Sequence, residues 1–578
     1  MNNINIGILG GGPAALFMLK RLVENFNENI AVTIFERKGQ LGAGMPYSTE
    51  GACKEHITNV SDREIPEIVS SLETWIEAAP VELLREYDID RFDFDEYHGV
   101  PRLVFGQFLA AQFELVLKAA KEAGIKVRVF TNTSVADLSY DSNTQQVTVT
   151  TTERGEHLFD TVIVATGHNW PKENEGKVPN WFDSPYPPSK LPQECNFPIA
   201  IKGSSLTAID AVKTLARANG SFEAAGDTVV YKRNANSNEF RIVMHSIGGL
   251  LPAIRFHLEN IDNAHEVLLT AEELKEVKAG NDGFVPLDYL FQRNFMEPLR
   301  TEQPDFFDKV SHMGLEAFVA YMMSLRNDLE PFTLFRAEYA EAEKSIRRKR
   351  SIYWKEMLSE LSYAMNYPAK HLSAEDMTRL REVLMPLISI VIAMIPQSAC
   401  RELLALHDAG VLEVVSVNKE STVEPADEGC IYTYMDEEGN EQQVHYRLFV
   451  NGIGQSAMSF EELPFASLRE EKTVSPAYLQ YRSQEAGKSA RGQDEKKVLK
   501  DSAGNYFLRV PGVSINDHFQ VLDPYGAANQ HIYMMAVPYI AGLNPDYSGL
   551  DFCETASTRI AAQLAKTILQ PGDEQLMS

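Results

Sequence analysis

The chain has 578 residues, 44% of them hydrophobic and 23% charged, which fits a soluble globular protein with room for two or three domains. Its net charge of -27 argues against nucleic acid or an anionic membrane as a partner. The five cysteines, Cys53, Cys195, Cys400, Cys430 and Cys553, form no C-x-x-C, so they give no redox pair or zinc site, and their sparse, odd count fits a reducing cytoplasm.

Taken in order, the chain opens on INIGILGGGPAALFMLKRLVENFNENIAVTIFER, Ile4 to Arg37. An apolar run, Ile4 to Leu9, predicts a buried parallel strand. Gly10, Gly12 and Ala15 form G-x-G-x-x-A, and Leu16, Leu19, Leu22 and Val23 continue at helical spacing. A second apolar run, Ile30 to Phe35, ends at Glu36. This is the strand–helix–strand dinucleotide fingerprint with its acid. Gly10 permits the tight turn, Gly12 lets a pyrophosphate reach the backbone, and Ala15 lets the helix approach the strands. The helix N-terminus offers N–H groups to phosphate, and Glu36 accepts from ribose hydroxyls. Met1-Asn2-Asn3 carries no basic n-region, which predicts no signal peptide.

Gly42 and Gly44 in GQLGAGMPYS allow a ligand near the backbone. His56-Ile-Thr-Asn59-Val60 opens a polar loop, with His56 read as a satisfied histidine. Residues 64–125 read mostly as helices. Arg102 stands near the first turn of the last of these, which is poorly placed for the helix dipole and implies a ligand or a partner carboxylate. Strands follow at Ile125 to Phe130, Gln146 to Thr152 and Asp160 to Val164, the last running into Ala165-Thr166-Gly167-His168. A strand ending in A-T-G brings N–H groups to a cofactor at the carboxyl edge of a sheet.

A second, altered fingerprint begins at Phe197 to Ile201. Gly203-Ser204-Ser205-Leu206-Thr207-Ala208 reads G-x-S-x-x-A, and Ser205 replaces the second glycine. Arg241 to Met244 is a strand. Lys232, Arg233 and Arg255 read as surface charges, with nicotinamide-phosphate binding as the alternative. Residues 285–400 are helical in pattern, with Pro286, Pro298, Pro304 and Pro331 expected to break the segments. Their aromatic stripe reads as core, with a lid as the alternative. Val383 to Ile395 contains Pro386 and is too short to span a bilayer, so it reads as a buried helix. Lys344 with Arg347 to Arg350 reads as a solvated helix face, with attraction of an anionic substrate or a nicotinamide cofactor as the alternative. Val411 to Val417, Cys430 to Tyr434 and His531 to Val537 are strands, with Gly439-Asn440 a hairpin turn. A final helix runs to about Ile568, with Ser548 as its cap.

GGGPAA with Glu36, GAGMPY, HITNV, PRLVFGQFL, VATGH, GSSLTAID, GGLLPAIR and FVNGIG together resemble the two-dinucleotide-binding-domain flavoproteins. These are bacterial FAD/NAD(P)-binding proteins related to N-hydroxylating flavin monooxygenases. The resemblance implies an α/β fold: two Rossmann-like dinucleotide-binding domains, the FAD domain discontinuous, plus a helical insertion. The expected ranges are 1–195 with 445–578 for FAD, 196–284 with 401–444 for the NAD(P)-type domain, and 285–400 for the insertion. By that resemblance Gly10, Gly12, Ala14 and Glu36 hold the ADP part of FAD, and Pro13 and Arg37 also count among the cofactor-binding residues. Val135 meets the adenine through its backbone. Gly44, Asn59, Thr166 and Gly167 lie along the flavin, and Gly549 opens a last helix aimed at its pyrimidine. Gly203 and Ser205 mark the place where NAD(P)H docks. Relatives carry an Arg about where Ser246 stands, so NADPH preference is open.

The flavin would carry the chemistry, so no catalytic side chain, metal or Ser-His-Asp set is assigned. The favoured function is an FAD-dependent, NAD(P)H-using monooxygenase of a small polar molecule such as an amine or amino acid, in the cytoplasm. A substrate-reduced oxidase or dehydrogenase without nicotinamide use is the alternative, as is a non-enzymatic flavin sensor.

Overall fold

The computed structural model describes residues 3–91, 99–191, 193–226, 228–259 and 268–569. Two sheets organise it. The first has six strands in the order Gln520–Leu522, Ala528–Met534, Thr161–Val164, Ile4–Leu9, Ile30–Phe35 and Lys126–Phe130. All neighbours are parallel except the outer pair Gln520–Leu522 and Ala528–Met534. The chain's first 164 residues and its last quarter therefore share one sheet. Helices Pro13–Asn25 and Arg102–Glu122 cover it, and Gly549–Leu569 lies on Pro13–Asn25, tied by the Arg21–Glu554 ion pair.

The second sheet has five strands, all parallel, in the order Leu412–Val417, Arg241–Ile247, Pro198–Lys202, Phe449–Asn451 and Trp181–Phe182. Ile199, Ala200 and Ile201 are fully buried, as the continuous apolar run requires of a strand covered on both faces. Helix Leu206–Ala218 packs on this sheet through Ala208, Val212, Leu215 and Ala216.

The helical stretch differs from expectation in two ways. Pro298, Pro304 and Pro331 stand in the first turns of helices Glu297–Glu302, Pro304–Val310 and Pro331–Arg348, and Pro286 caps Leu287–Phe291. Pro286, Pro304 and Pro331 start helices rather than break them, because proline loses nothing where the N–H is already free, whereas Pro298 lies inside a continuous helical run from Leu287 to Glu302, just after its π-helical turn Gln292–Met296. The stretch also shares its core with its neighbours. Phe291, Phe295, Phe318 and Leu387 belong to the core under the first sheet, whereas Phe332, Phe335 and Ala342 join that of the second. The aromatic stripe is core, as read from sequence. Lys344 and Arg347 to Arg350 are exposed at the C-terminal end of Pro331–Arg348, where positive charge suits the helix dipole.

A three-stranded antiparallel sheet, Pro476–Gln480, Tyr506–Val513 and Val498–Lys500, with helix Gln484–Gln493, had no counterpart in the sequence reading. Neither did the hairpin Gly220–Ala225 with Thr228–Arg233. Of the helical reading over 64–125, residues 92–98 lie outside the described residues.

Candidate functional site

The first fingerprint makes a closed turn at the carboxyl edge of its sheet. Gly10 has φ +105°, and a Cβ there would lie 2.5 Å from the Ala165 carbonyl oxygen. Only glycine fits, on both counts. Gly12 is extended (φ -82°, ψ -163°) and precedes Pro13, the first residue of the helix. Gly44, with φ +59°, faces it, so a Cβ on Gly12 would lie 3.3 Å from Gly44 Cα. The Gly42 N–H donates to the Gly11 carbonyl at 2.7 Å, which pins the 39–48 loop beside the turn. Ala14 is half-buried, with its side chain on the core.

Glu36 is 9% exposed. Its two carboxylate oxygens accept the Gly11 N–H at 2.6 Å and the Lys38 N–H at 2.7 Å. Each oxygen keeps a second lone pair for a ribose hydroxyl. Arg37 is exposed and lies 3.8 Å from Glu50. Val135 begins the strand Val135–Asp141 next to these loops. Thr166 Oγ1 is buried without a partner, and open space lies where a Cβ of Gly167 or Gly549 would stand. An orphaned hydroxyl, a glycine-walled turn and an acid with free lone pairs are a donor set that fits FAD.

The second unit repeats this geometry. Gly203 has φ +101°, and its N–H donates to the His245 carbonyl at 2.8 Å, as the Gly10 N–H does to the Phe35 carbonyl at 2.8 Å. A Cβ on Gly203 would lie 3.1 Å from the Gly452 carbonyl oxygen, matching the approach of Gly10 to Ala165. Ser205 is exposed and precedes helix Leu206–Ala218. The register places Ser246 where Glu36 stands, since Lys202 pairs with His245 as Leu9 pairs with Phe35. Ser246 is 5% exposed, and its hydroxyl is engaged by Ser204 Oγ at 2.7 Å and the Leu250 carbonyl at 2.9 Å. It closes the turn and is not free to meet a ribose.

Arg255 corrects the sequence reading. It is not a surface charge but 3% exposed, paired with Glu64 and donating to the Asn59 carbonyl. A charge that deep needs both partners. Lys232 is exposed and paired with Glu223 at 2.5 Å, and Arg233 donates to the Gly410 carbonyl at 2.7 Å.

Arg102 is answered by a carboxylate. Its Nη1 lies 2.5 Å from Asp210 Oδ2, which also accepts the Tyr186 hydroxyl at 2.7 Å. Burial opposes ionisation of Asp210, but Arg102 and then His56 hold its pKa below the usual carboxylate value. His56 is fully buried. Its Nδ1 accepts the Cys53 N–H at 3.0 Å, so Nε2 carries the hydrogen toward Thr214 Oγ1 at 3.1 Å, and Thr214 donates to Glu55 at 2.8 Å. Loop 53–64 is thus gripped from the second unit by the Asp210 carbonyl, 3.2 Å from His56 Nε2, by Thr214 and by Arg255. Sequence reasoning gave Asp210 no role. The signal was an aspartate flanked by Ile209 and Ala211 in the most apolar stretch of the helix, with Thr207, Lys213 and Thr214 on its own face.

His245 is 1% exposed, stacks on Tyr432 at 3.8 Å, and has its pKa lowered by burial to about 4. A lowered histidine keeps its contribution above its unfolded pKa of roughly 6.5 and loses it as pH falls toward the folded value. At pH 5 the loss from this residue should be about 2 kcal/mol. Urea unfolding at pH 7.5 and pH 5 should show that drop, and His245→Gln should flatten it.

The comparisons with known proteins follow the same division. Residues 7–169 match a family model described as FAD-NAD(P)-binding, and residues 270–392 match one described as a YdhS-like middle domain. The uncharacterized protein YdhS of Escherichia coli (strain K12) is 26% identical over 473 residues, 81% of this chain and 86% of that one. Among solved structures, the ornithine N-hydroxylase KtzI of Kutzneria sp. 744 aligns at a TM-score of 0.45 and 12% identity, covering 99% of this chain and 100% of that one. The L-lysine 6-monooxygenase of Pseudomonas syringae aligns at 0.46 and 11%, covering 97% and 99%. At that distance the functional argument rests on this chain's own residues. The chain is thus similar over residues 7–169 to FAD-NAD(P)-binding proteins and over residues 270–392 to the YdhS-like middle domain.

Proposed function

We propose that the protein is an FAD-dependent oxidoreductase that consumes NAD(P)H, a monooxygenase of a small polar substrate such as an amine or amino acid. The observation that carries this is the doubled turn. Gly10 and Gly203 adopt the same conformation, make the same strand hydrogen bond, and approach the same kind of carbonyl at the edge of two parallel sheets. One such edge takes one dinucleotide, and two adjacent edges suit a flavin and its reductant. The cysteines support the choice among flavin chemistries. All five are free, and four are buried. Burial raises the Cys430 and Cys553 thiols to about 12, so they stay protonated and unreactive.

FAD, when bound, supplies electron and hydride transfer. The chain's own part is to hold it. The Pro13–Asn25 N-terminus would hold the phosphates, Glu36 the ribose, and the A-T-G turn the ring. Purified protein should be yellow and release FAD rather than FMN on heating, because Glu36 is placed for an adenosine ribose.

A second reading has one observation in its favour. Gly248 and Gly249, just past Ser246, face Asn327 Oδ1 at 3.7 Å and Pro331 Cγ at 3.5 Å, measured from a Cβ built on each. The helical stretch thus lies against the turn just past Ser246, with Ser416 Cβ nearer still to Gly249 at 3.3 Å, which leaves less room there for a second ribose. Anaerobic stopped flow separates the two. NADH and NADPH are mixed in turn with oxidised enzyme, with and without candidate amines, and flavin bleaching is followed. Bleaching by either nucleotide supports the proposal. Because Ser246 is engaged within the turn, NADPH should show no advantage over NADH. Bleaching by a substrate alone, and by neither nucleotide, supports the second reading.

A further inference from the structure

The chain crosses twice between its two sheets. It leaves the first after Thr161–Val164 and enters the second at Trp181–Phe182; it leaves the second after Phe449–Asn451. The two crossings are stitched together. The Gln455 amide nitrogen donates to the Asn169 carbonyl at 2.6 Å, and Gln455 Oε1 accepts the Asn169 N–H at 3.2 Å. A backbone N–H and C=O cannot exchange roles, so these bonds fix which end of the Gln455 amide is oxygen.

That oxygen also lies 2.7 Å from His168 Nδ1. An amide oxygen only accepts, so Nδ1 carries the hydrogen. His168 is exposed at the surface, and crowding by neighbouring atoms lowers its pKa from the ordinary histidine value, with the Gln455 bond opposing. The ring is therefore neutral near pH 7, with a bare lone pair on Nε2. Nε2 makes no hydrogen bond among the described residues, although the side chain is held on its other nitrogen and its ring lies 5.3 Å from Trp170. His168 follows Gly167, with its open space, and the orphaned Thr166 hydroxyl. A fixed, neutral acceptor thus stands in the passage between the two dinucleotide turns.

We propose that His168 Nε2 accepts a hydrogen bond from the carboxamide N–H of a bound nicotinamide, and that Gln455 is the positioning residue that holds the ring in the accepting tautomer. The proposal rests on the two-dinucleotide reading of the chain. A nicotinamide carried by the Gly203 turn must pass the crossings to reach a flavin held by the Gly10 turn, and its carboxamide is the group on that ring with N–H donors.

The first arm uses FAD-replete protein and calorimetry with oxidised NAD and with nicotinic acid adenine dinucleotide, which has a carboxylate in place of the carboxamide. An accepting Nε2 favours the amide and repels the carboxylate. The wild type should bind NAD about tenfold or more tightly than the acid. His168→Phe, which keeps a ring beside Trp170, should lose that preference while keeping its FAD content. The second arm reads the tautomer by nuclear magnetic resonance of protein carrying ¹⁵N-histidine, with the His168 signals assigned by their loss in His168→Phe. Wild-type His168 should be protonated on Nδ1. Gln455→Leu should admit the other tautomer and weaken the NAD preference with no change at His168 itself. Equal binding of the two nucleotides by the wild type, or a hydrogen on Nε2, overturns the proposal and leaves the functional reading standing. If FAD-replete protein binds neither nucleotide, the proposal falls together with the nicotinamide half of that reading.

Discussion

Asp210→Ala should be among the most damaging substitutions in the chain, costing about 3–5 kcal/mol. The reason is what it leaves behind. Arg102 is tucked beneath the second unit, and Asp210 Oδ2 at 2.5 Å is its ion-pair partner. The attraction outweighs burial and holds the guanidinium pKa above its usual value. Without the carboxylate, a buried positive charge and the Tyr186 hydroxyl both lose their acceptor. Arg102→Met should cost less by itself, because Asp210 then keeps Tyr186 and can bind a proton. Combined with Asp210→Ala, Arg102→Met should recover much of the loss, since removing both charges removes the desolvation cost as well. The strong non-additivity is the signature of a direct pair. Urea midpoints of the three variants give the cycle. Additive midpoints would show that the pair is not the coupling.

The pair also shows which parts of the molecule could be read from sequence. Period and composition revealed the central strands of both sheets because those strands are continuous apolar runs, with Ile4–Leu9, Thr161–Val164 and Pro198–Lys202 buried along most of their length, but not the short edge strands Gln520–Leu522 and Trp181–Phe182. Glycine spacing marked both turns, because Gly10 and Gly203 stand where a side chain has neither room nor an allowed backbone angle. What was not legible depends on contacts far apart in the chain. Arg102 looked misplaced on its own helix, and only the fold brings it to a residue 108 positions later. Arg255 looked like surface because its partners Glu64 and Asn59 belong to the other unit. The strands Pro476–Gln480 and Tyr506–Val513 were missed because their half-buried pattern gives no strong run, and their pairing supplies the order. His168 and Gln455 stand on crossings with no periodicity at all, so their 2.7 Å contact is a product of topology alone.

Gly12→Val should give a folded protein without flavin, and Gly10→Ala a poorly folded one. The two glycines share a motif but do different work. Gly10 is held at φ +105°, and a Cβ there would run into the Ala165 carbonyl oxygen. A left-handed angle costs roughly 1–2 kcal/mol for an L-residue, and overpacking adds about 1–3. That penalty falls on the sheet itself, whether or not a cofactor is present. Gly12 has φ -82° and ψ -163°, an angle that a β-branched residue adopts readily. Its nearest neighbour would be Gly44 Cα at 3.3 Å, in a loop that can give a few tenths of an ångström. The methyls of valine would instead occupy the approach to the first N–H groups of Pro13–Asn25. Each lost hydrogen bond to a charged phosphate costs about 1.5–3 kcal/mol, so losing two weakens FAD roughly 10²- to 10³-fold or more. Flavin absorbance per protein, beside the urea midpoint of the apoprotein, separates the two effects. Wild-type stability without flavin is expected for Gly12→Val, and loss of both for Gly10→Ala. A yellow Gly12→Val protein with normal flavin content would mean that the pyrophosphate does not lie over this turn.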